Sequence, residues 1–571
     1  MSDRKQITAQ RRTSEDRDVL VPMRDGTVLA VDIYRPDVEG VFPALLAASP
    51  YGKDFTYLPS ISSFRFRETG PIEWYVEKGY AYVHADVRGS GKSGGQFPNP
   101  FEGRDMYDLI EWIAAQPWCS GKVGMIGESY YGTVQWHAAA EHPPHLACIA
   151  PYDAMVDVYR ETMYHGGIPA MFTSWWSFDG RARRLLDHPE PAKPGQASAD
   201  TVLVQLSNPL DGPLWQALSA WSKFGRIKTP FLSIGNWEAL GLHLRGNILA
   251  FEQIEAPKKL LVTGDIGDSG SWPLIEAPDQ HKRNQSQFAS IEFHERELLL
   301  WYDYWLKGIE NGVMEEPPVK VWVQGKGEYR VENAWPVERV RYEPAYLRES
   351  GPRRGISAND GGLSFEAPGA NEGASDITYP DEEWGGWPGI GNAVLSPSGI
   401  PNRSKKSLTF TSEPLTNDIE ILGPIVMKLY ASSDQKDTDF FVRLADEPPL
   451  GAGEQAILDR LEQPPPTKTV SRGWLKASHR GLDQEHSTPH RPWHSHSDPL
   501  PLTPGEVYEF DIEVWPAAWL FRAGHRIRIE IAPGDSPYFD GFSHYFGVKF
   551  GTDSVCHNTM YPSHMLLPIL T

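Results

Sequence analysis

A parallel α/β sheet carrying a helical insertion, followed by an all-β region, accounts for the pattern of this 571-residue chain. Three features argue for it. Apolar strand-like runs alternate with helical periodicity through the first half of the chain, the signature of βαβ units. A stretch rich in Trp, Met and Tyr interrupts that alternation between Tyr152 and Ile227. Beyond Gly308 short strands separated by Gly, Pro and Ser loops take over, as in a β-sandwich. The chain is too long for a single core, so two or three domains are expected.

The elements follow in order. Val19 to Val31 reads as two strands around a tight Asp25-Gly26 turn. Phe42 to Ser49 is a short buried strand ending in the loop Pro50-Tyr51-Gly52-Lys53-Asp54. Tyr80 to Ala85 is another, followed by a Gly-rich segment from Asp86 to Gly95. Asp105 to Gln116 has helical spacing, and His145 to Ala150 is a further strand. A Pro/Gly/Ala stretch lies near Glu190 to Ala199 within the interruption. The strand pattern resumes at Thr229 to Gly235 and Lys258 to Thr263, and Glu295 to Leu306 is an amphipathic helix. Later strands are expected at Val319 to Val323, Leu408 to Phe410, Ile425 to Tyr430, Asp439 to Leu444, Tyr508 to Val514 and Ile527 to Ile531. Arg460 to Pro501, with clustered Pro and His, reads as a loop excursion.

The most telling segment is Val123-Gly124-Met125-Ile126-Gly127-Glu128-Ser129-Tyr130-Tyr131-Gly132. An apolar strand stops at Gly-Glu-Ser-Tyr-Tyr-Gly and a helix-competent run from Thr133 to Glu141 follows. That is the layout of a nucleophile elbow, the turn that lifts a serine oxygen above an α/β-hydrolase sheet. The second glycine sits one place later than in the commonest form. Composition removes other classes. The formal net charge of −21 and pI near 5.3 argue against a nucleic-acid partner. Cys119, Cys148 and Cys556 make neither a disulfide framework nor a zinc cluster. The N-terminal segment lacks an apolar core and no run is long enough to span a bilayer, so a cytoplasmic location is expected. No cofactor and no metal are predicted; the tract His486, His490, His494, His496 is spaced loosely and reads as a solvated loop. The Gly-rich loop with Asp86 and Arg88 lacks the Walker lysine pattern and reads as a salt-bridged turn scaffold.

In these motifs the chain resembles the CocE/NonD family of serine hydrolases, the cocaine esterase and X-prolyl dipeptidyl peptidase group. The resemblance rests on Ser49-Pro50-Tyr51, on Asp86 to Gly95, on Gly127 to Gly132 and on Trp301-Tyr302-Asp303-Tyr304-Trp305-Leu306-Lys307-Gly308. Gly473 to Arg480 and Phe521 to Arg526 extend it through the β-rich end. It implies an α/β-hydrolase domain with an inserted helical cap and a C-terminal β jelly roll. The expected boundaries are 1–151 and 229–314 for the hydrolase domain, 152–228 for the cap and 315–571 for the jelly roll. It also implies Ser129 as nucleophile, with the Tyr130 backbone N–H and the Tyr51 phenol as oxyanion donors. Cap aromatics Trp175, Trp176 and Phe178 would line an acyl pocket.

The resemblance weakens at the acid and the base. The family places an aspartate after the strand ending near Gly235; here Gly235-Asn236-Trp237-Glu238 offers Glu238, as an acid or as an ordinary helix-start glutamate. The family histidine follows the next strand, but Gly264-Asp265-Ile266-Gly267-Asp268 holds none. A base would have to come from His281, His243 or His294, or the triad is incomplete. The sequence therefore predicts a serine hydrolase acting on a small-molecule ester or amide. An acyltransferase and a non-catalytic binding homologue stay open as alternatives. A homodimer is compatible with it.

Overall fold

The computed structural model describes residues 13–54, 68–172, 174, 176, 201–237, 239–264, 288, 290–351, 357–379, 407–461, 464–534, 544 and 550–571. A ten-stranded sheet organises the first part. It opens with an antiparallel hairpin of β1 (Thr13–Pro22) and β2 (Val28–Pro36), whose turn needs Gly26 at φ +83°. It continues through β3 (Phe42–Ser49), β4 (Ala81–Asp86), β5 (Cys119–Glu128), β6 (Leu146–Tyr152), β7 (Phe231–Asn236), β8 (Lys258–Thr263), β9 (Val319–Val323) and β10 (Glu328–Glu332). The spatial order is β1-β2-β4-β3-β5-β6-β7-β8-β9-β10. Neighbours from β4 through β9 run parallel.

Parallel strands need both faces covered, which explains why β3, β4 and β5 are nearly continuous apolar runs. Helices α1 (Glu102–Ala114) and α2 (Tyr130–Ala140) cover one face with Leu109, Ile110, Ile113, Val134 and Trp136. Helix α3 (Leu244–Gln253) joins them, and Trp301, Tyr302 and Leu306 of α4 (Leu299–Lys307) pack on the other face. Between β6 and β7 the described segments are a helical turn, Tyr159–Met163, a two-stranded hairpin of Tyr164–His165 and Ile168–Pro169, and the short helices Thr201–Ser207, Pro213–Leu218 and Trp221–Arg226. No described helix is long and apolar enough to cross a membrane.

The second sheet is all-β and mostly antiparallel. Its strands are β11 (Val340–Arg348), β12 (Gly361–Ser364), β13 (Ala374–Tyr379), β14 (Leu408–Ser412), β15 (Ile419–Ser433), β16 (Asp439–Glu447), β17 (Lys468–Lys476), β18 (Tyr508–Phe521), β19 (Arg526–Ala532), β20 (Gly551–Cys556) and β21 (His564–Leu570). Their order is β13-β20-β15-β18-β17-β16-β19-β14-β12-β11-β21, and β21 also pairs with β15. That last pairing closes the sheet on itself around Phe410, Met427, Phe440, Phe510, Ile529 and Met565.

Two expectations need correction. Val319 to Val323, read with the β-rich end, extends the first sheet by pairing parallel with β8, and β10 follows it antiparallel. The loss of intervening helices therefore precedes the change of sheet, which is why texture alone misplaced these strands. The span 460–501, read as a loop, contains the central strand β17, and His494 and His496 are buried rather than solvated. They are covered because Arg160, Tyr159 and Asp211 of the region after β6 pack onto them.

Candidate active site

Adjacent strands β3, β5, β6 and β7 all point their carboxyl ends at one place, the crevice where open α/β sheets hold ligands. The segments leaving those ends carry Tyr51, Ser129, Asp153 and His243. Ser129 sits between β5 and α2 at φ +59° and ψ −119°, a conformation that non-glycine residues rarely adopt. Its N–H donates to the Tyr152 carbonyl at 3.0 Å, and its carbonyl accepts from Gly132 and Thr133. The glycines are sterically required. A Cβ on Gly127 would lie 2.2 Å from Tyr131 Cβ, and one on Gly132 would lie 2.8 Å from Ala154 Cβ. The displaced second glycine thus lets the first turn of α2 press against the chain leaving β6. Tyr131, in the place where the commoner motif has glycine, turns its hydroxyl to His84 Nε2 at 2.8 Å.

His243 Nε2 lies 3.2 Å from Ser129 Oγ. The turn after β7 delivers it. Trp237 N–H donates to the Thr263 carbonyl and Trp237 Nε1 to the Trp322 carbonyl, and His243 N–H reaches the Ala239 carbonyl just before α3 begins. Behind the imidazole, Asp153 Oδ2 is 3.9 Å from His243 Nδ1. Asp153 follows β6 at φ +42°, donates its N–H to the Ile234 carbonyl at 2.7 Å and accepts the Asn236 backbone N–H on its carboxyl. All three side chains are buried. Burial pulls His243 down to about 3 and pushes the Asp153 carboxyl well above the usual carboxylate range. The imidazole is therefore unprotonated at neutral pH and able to accept a proton from the hydroxyl beside it.

The Tyr51 hydroxyl hydrogen-bonds the Ser129 side chain and accepts from Trp176 Nε1 at 3.4 Å. Burial raises its pKa, so it stays a phenol and remains a donor. Tyr130 begins α2, where backbone N–H groups lack intrahelical acceptors. Its ring stacks on Trp176 (centroids 6.4 Å apart, planes 8° apart), and Phe97 approaches both. The Tyr130 hydroxyl donates to Glu102 Oε1 at 2.8 Å; burial pushes that carboxyl up to about 8.

The other sequence candidates divide in two. Glu238, His281, Trp175 and Phe178 lie outside the described residues. His294 is committed elsewhere, with Nδ1 to the Tyr75 hydroxyl at 2.8 Å and Nε2 to the Phe288 carbonyl at 2.7 Å. Asp153 was not singled out from the sequence, although it directly follows the strand beside the nucleophile strand, a position that points into the crevice. The Gly-rich loop serves as a scaffold. Asp86 accepts the backbone N–H groups of Lys53 and Lys92, and Arg88 grips Asp105 through two hydrogen bonds. Among the described residues no cluster of three or more His, Cys, Asp or Glu is arranged to hold a metal.

Comparison with known proteins places this geometry in a family. Residues 25–265 match the X-Pro dipeptidyl-peptidase (S15 family), and residues 311–545 match the X-Pro dipeptidyl-peptidase C-terminal non-catalytic domain. Cocaine esterase of Rhodococcus sp. (strain MB1 Bresler) is 28% identical over 97% of this chain and 98% of its own length. A CocE/NonD family hydrolase from Staphylococcus aureus is 26% identical and superposes with a TM-score of 0.77, covering 98% of this chain and 93% of that one. An aminopeptidase from the marine sediment archaeon Thaumarchaeota archaeon shares the fold at 18% identity, with a TM-score of 0.70 over 98% of this chain and 97% of that one. The chain belongs to the CocE/NonD family and is a serine hydrolase of the esterase/peptidase type.

Proposed function

We propose that the protein cleaves a carboxylic ester or amide through an acyl-enzyme on Ser129, with His243 as the general base. The observation that carries this reading is the 3.2 Å approach of His243 Nε2 to Ser129 Oγ on a positive-φ turn. Ser129 Oγ attacks the substrate carbonyl as its proton passes to His243 Nε2. The oxyanion that forms accepts hydrogen bonds from the Tyr51 phenol and the Tyr130 backbone N–H. His243 then returns the proton to the leaving alcohol or amine. A water molecule, activated by the same imidazole, attacks the acyl-enzyme, releases the acid and restores Ser129.

The short helices between β6 and β7 form the cap over this site in our reading, and the closed β-sheet is a jelly roll. Tyr51, Phe97, Tyr130 and Trp176 supply one wall of the acyl pocket, which suits a flat aromatic or bulky apolar acyl group. The kinship with a protein named cocaine esterase favours esters over peptides. A fluorophosphonate probe and a p-nitrophenyl ester test the reading together. Stoichiometric labelling of Ser129 with ester turnover is expected, and both are lost in Ser129→Ala. Labelling that persists in that variant would overturn it.

A further inference from the structure

Resting on the reading of Ser129 and His243 above, we infer that Asp153, directly after strand β6, is the positioning residue that orients His243. Its Oδ2 stands 3.9 Å from His243 Nδ1, on the ring edge opposite the nitrogen that faces Ser129. Among the described residues it is the carboxylate within ion-pair reach of that ring. Carboxylate–imidazole hydrogen bonds are often long without ligand and tighten in the substrate complex.

The surrounding fold holds the two residues together through independent contacts. Asn247, in the first turn of α3, accepts the Ala154 N–H at 2.8 Å and donates to the Pro151 carbonyl at 3.1 Å. It thereby grips the chain on both sides of Asp153. Gly246 lets the helix come this close, since a Cβ there would lie 2.7 Å from the Ala154 carbonyl oxygen. On its other side Asp153 is tied to β7 by its own N–H to the Ile234 carbonyl. His243 is the residue just before α3, so these contacts fix the imidazole and the carboxyl relative to each other. The left-handed φ of Asp153 is the backbone strain that this arrangement sustains.

The carboxylate has a defined task. A neutral imidazole must present a lone pair on Nε2, so its proton must sit on Nδ1, facing Asp153. When Nε2 takes the Ser129 proton, the imidazolium gains a negative partner within 4 Å, and each ion then offsets the desolvation of the other. The other acids on this side are Glu128, the register neighbour of Tyr152 on β5, and Glu68, whose carbonyl accepts the Glu128 N–H. Burial raises the Glu128 carboxyl, and the proximity of Glu68 and Asp153 raises it further.

Asp153→Asn tests the assignment. The amide keeps the shape but removes the charge and permits the wrong tautomer. The expected result is a loss of about 10²–10⁴-fold in kcat and in the rate of Ser129 phosphonylation, with KM little changed. The acid limb of kcat/KM should also move to lower pH, because His243 is left with burial alone. A structural role would leave that limb in place. Asp153→Glu, which keeps a carboxylate, should retain more activity than the Asn variant. Asn activity within threefold of the parent, with Ser129→Ala and His243→Ala both inactive, overturns Asp153 and leaves the nucleophile and base standing. Full turnover in Ser129→Ala overturns the site reading instead. If the Asn variant does not fold, the parent decides. A far-downfield Nδ1 proton resonance that vanishes in His243→Ala supports the pair, and its absence overturns it.

Discussion

The Ser129 site at the carboxyl ends of the first sheet's strands and the seam where the two sheets meet are made of the same residue types. Both bury histidines beside carboxylates and tyrosines, and both lower the histidine pKa by desolvation. At the seam His165 Nδ1 meets His544 Nε2 at 2.8 Å, His479 Nδ1 meets His496 Nδ1 at 3.0 Å, and His494 Nε2 bonds the Asp511 carbonyl. Arg160 binds Asp157, Asp211 and the His494 carbonyl, while Arg245 binds Glu513 and Glu161. The two guanidinium groups also lie against Trp493. At the site, by contrast, the imidazole faces a hydroxyl held on a strained turn below aromatic rings. A perturbed pKa marks both regions; the identity and geometry of the partner separates a reactive histidine from a structural one.

Loss of the proposed nucleophile and base should break the comparison most sharply. Ser129→Ala and His243→Ala are each expected to lower kcat by about 10⁴–10⁶-fold without lowering the melting temperature, because nucleophile and base act as a unit. Equal effects in the two variants, measured on a p-nitrophenyl ester, support the pairing. A mild effect at His243 would move the base elsewhere. Tyr51→Phe comes next. Removing one oxyanion donor at little steric cost should reduce kcat by about 10²–10³-fold with KM nearly constant. An unchanged kcat would reduce Tyr51 to a packing residue.

Substitution at the seam should do the reverse. Arg160→Ala leaves Asp211 buried without its cation and Asp157 with only the Arg245 contact at 4.0 Å, and breaking comparable buried pairs costs on the order of 3–5 kcal/mol. Denaturant melts should show that loss, while kcat per folded molecule stays at the parent value. A drop in kcat with unchanged stability would tie the seam to catalysis and dissolve the distinction.

Much of this was legible in the sequence, and the reasons for the rest are physical. Strong local signals gave the strands from Phe42 and from Lys258, the Asp25-Gly26 turn and the elbow at Ser129. They are set by apolar runs and glycine geometry within a few residues. The partner of Ser129 was one of three histidines and could not be ranked first, because tertiary packing alone decides which reaches in. His243 gets there through Gly246 and Asn247, whose close contacts to residues 151–154 span about ninety positions of sequence. Asp153 carries no local signal of its own: it is one aspartate after an apolar strand, and only the packing of α3 against residues 151–154 brings it behind the imidazole. The burial of His494 and His496 was missed because their proline-rich setting resembles a solvated loop, and only the docking of Arg160 and Tyr159 shows otherwise.

The smallest effect concerns pH, and it sharpens the contrast between structural and reactive histidines. Burial holds His165 to about 3 and His479 to about 4, against about 6.5 in the unfolded chain. Below pH 6.5 the unfolded state binds more protons, so the stability these groups contribute at neutral pH is lost as pH falls toward 4. Glu102 works in the opposite direction. Burial raises its carboxyl to about 8, so its contribution is complete below about pH 4.5 and declines as pH rises toward 8. Between about pH 4.5 and 6.5 the two trends oppose each other, but two histidines outweigh one carboxyl, so the melting temperature should rise through that window and peak near pH 6.5. Replacing the seam pair in His165→Asn and His479→Gln should flatten the acid side of that curve and leave the alkaline side alone. Ester turnover in those variants should keep the parent's pH profile, since neither histidine faces Ser129. An acid-side decline of unchanged steepness would show that other groups carry it. A displaced kinetic profile would show that the seam communicates with the site.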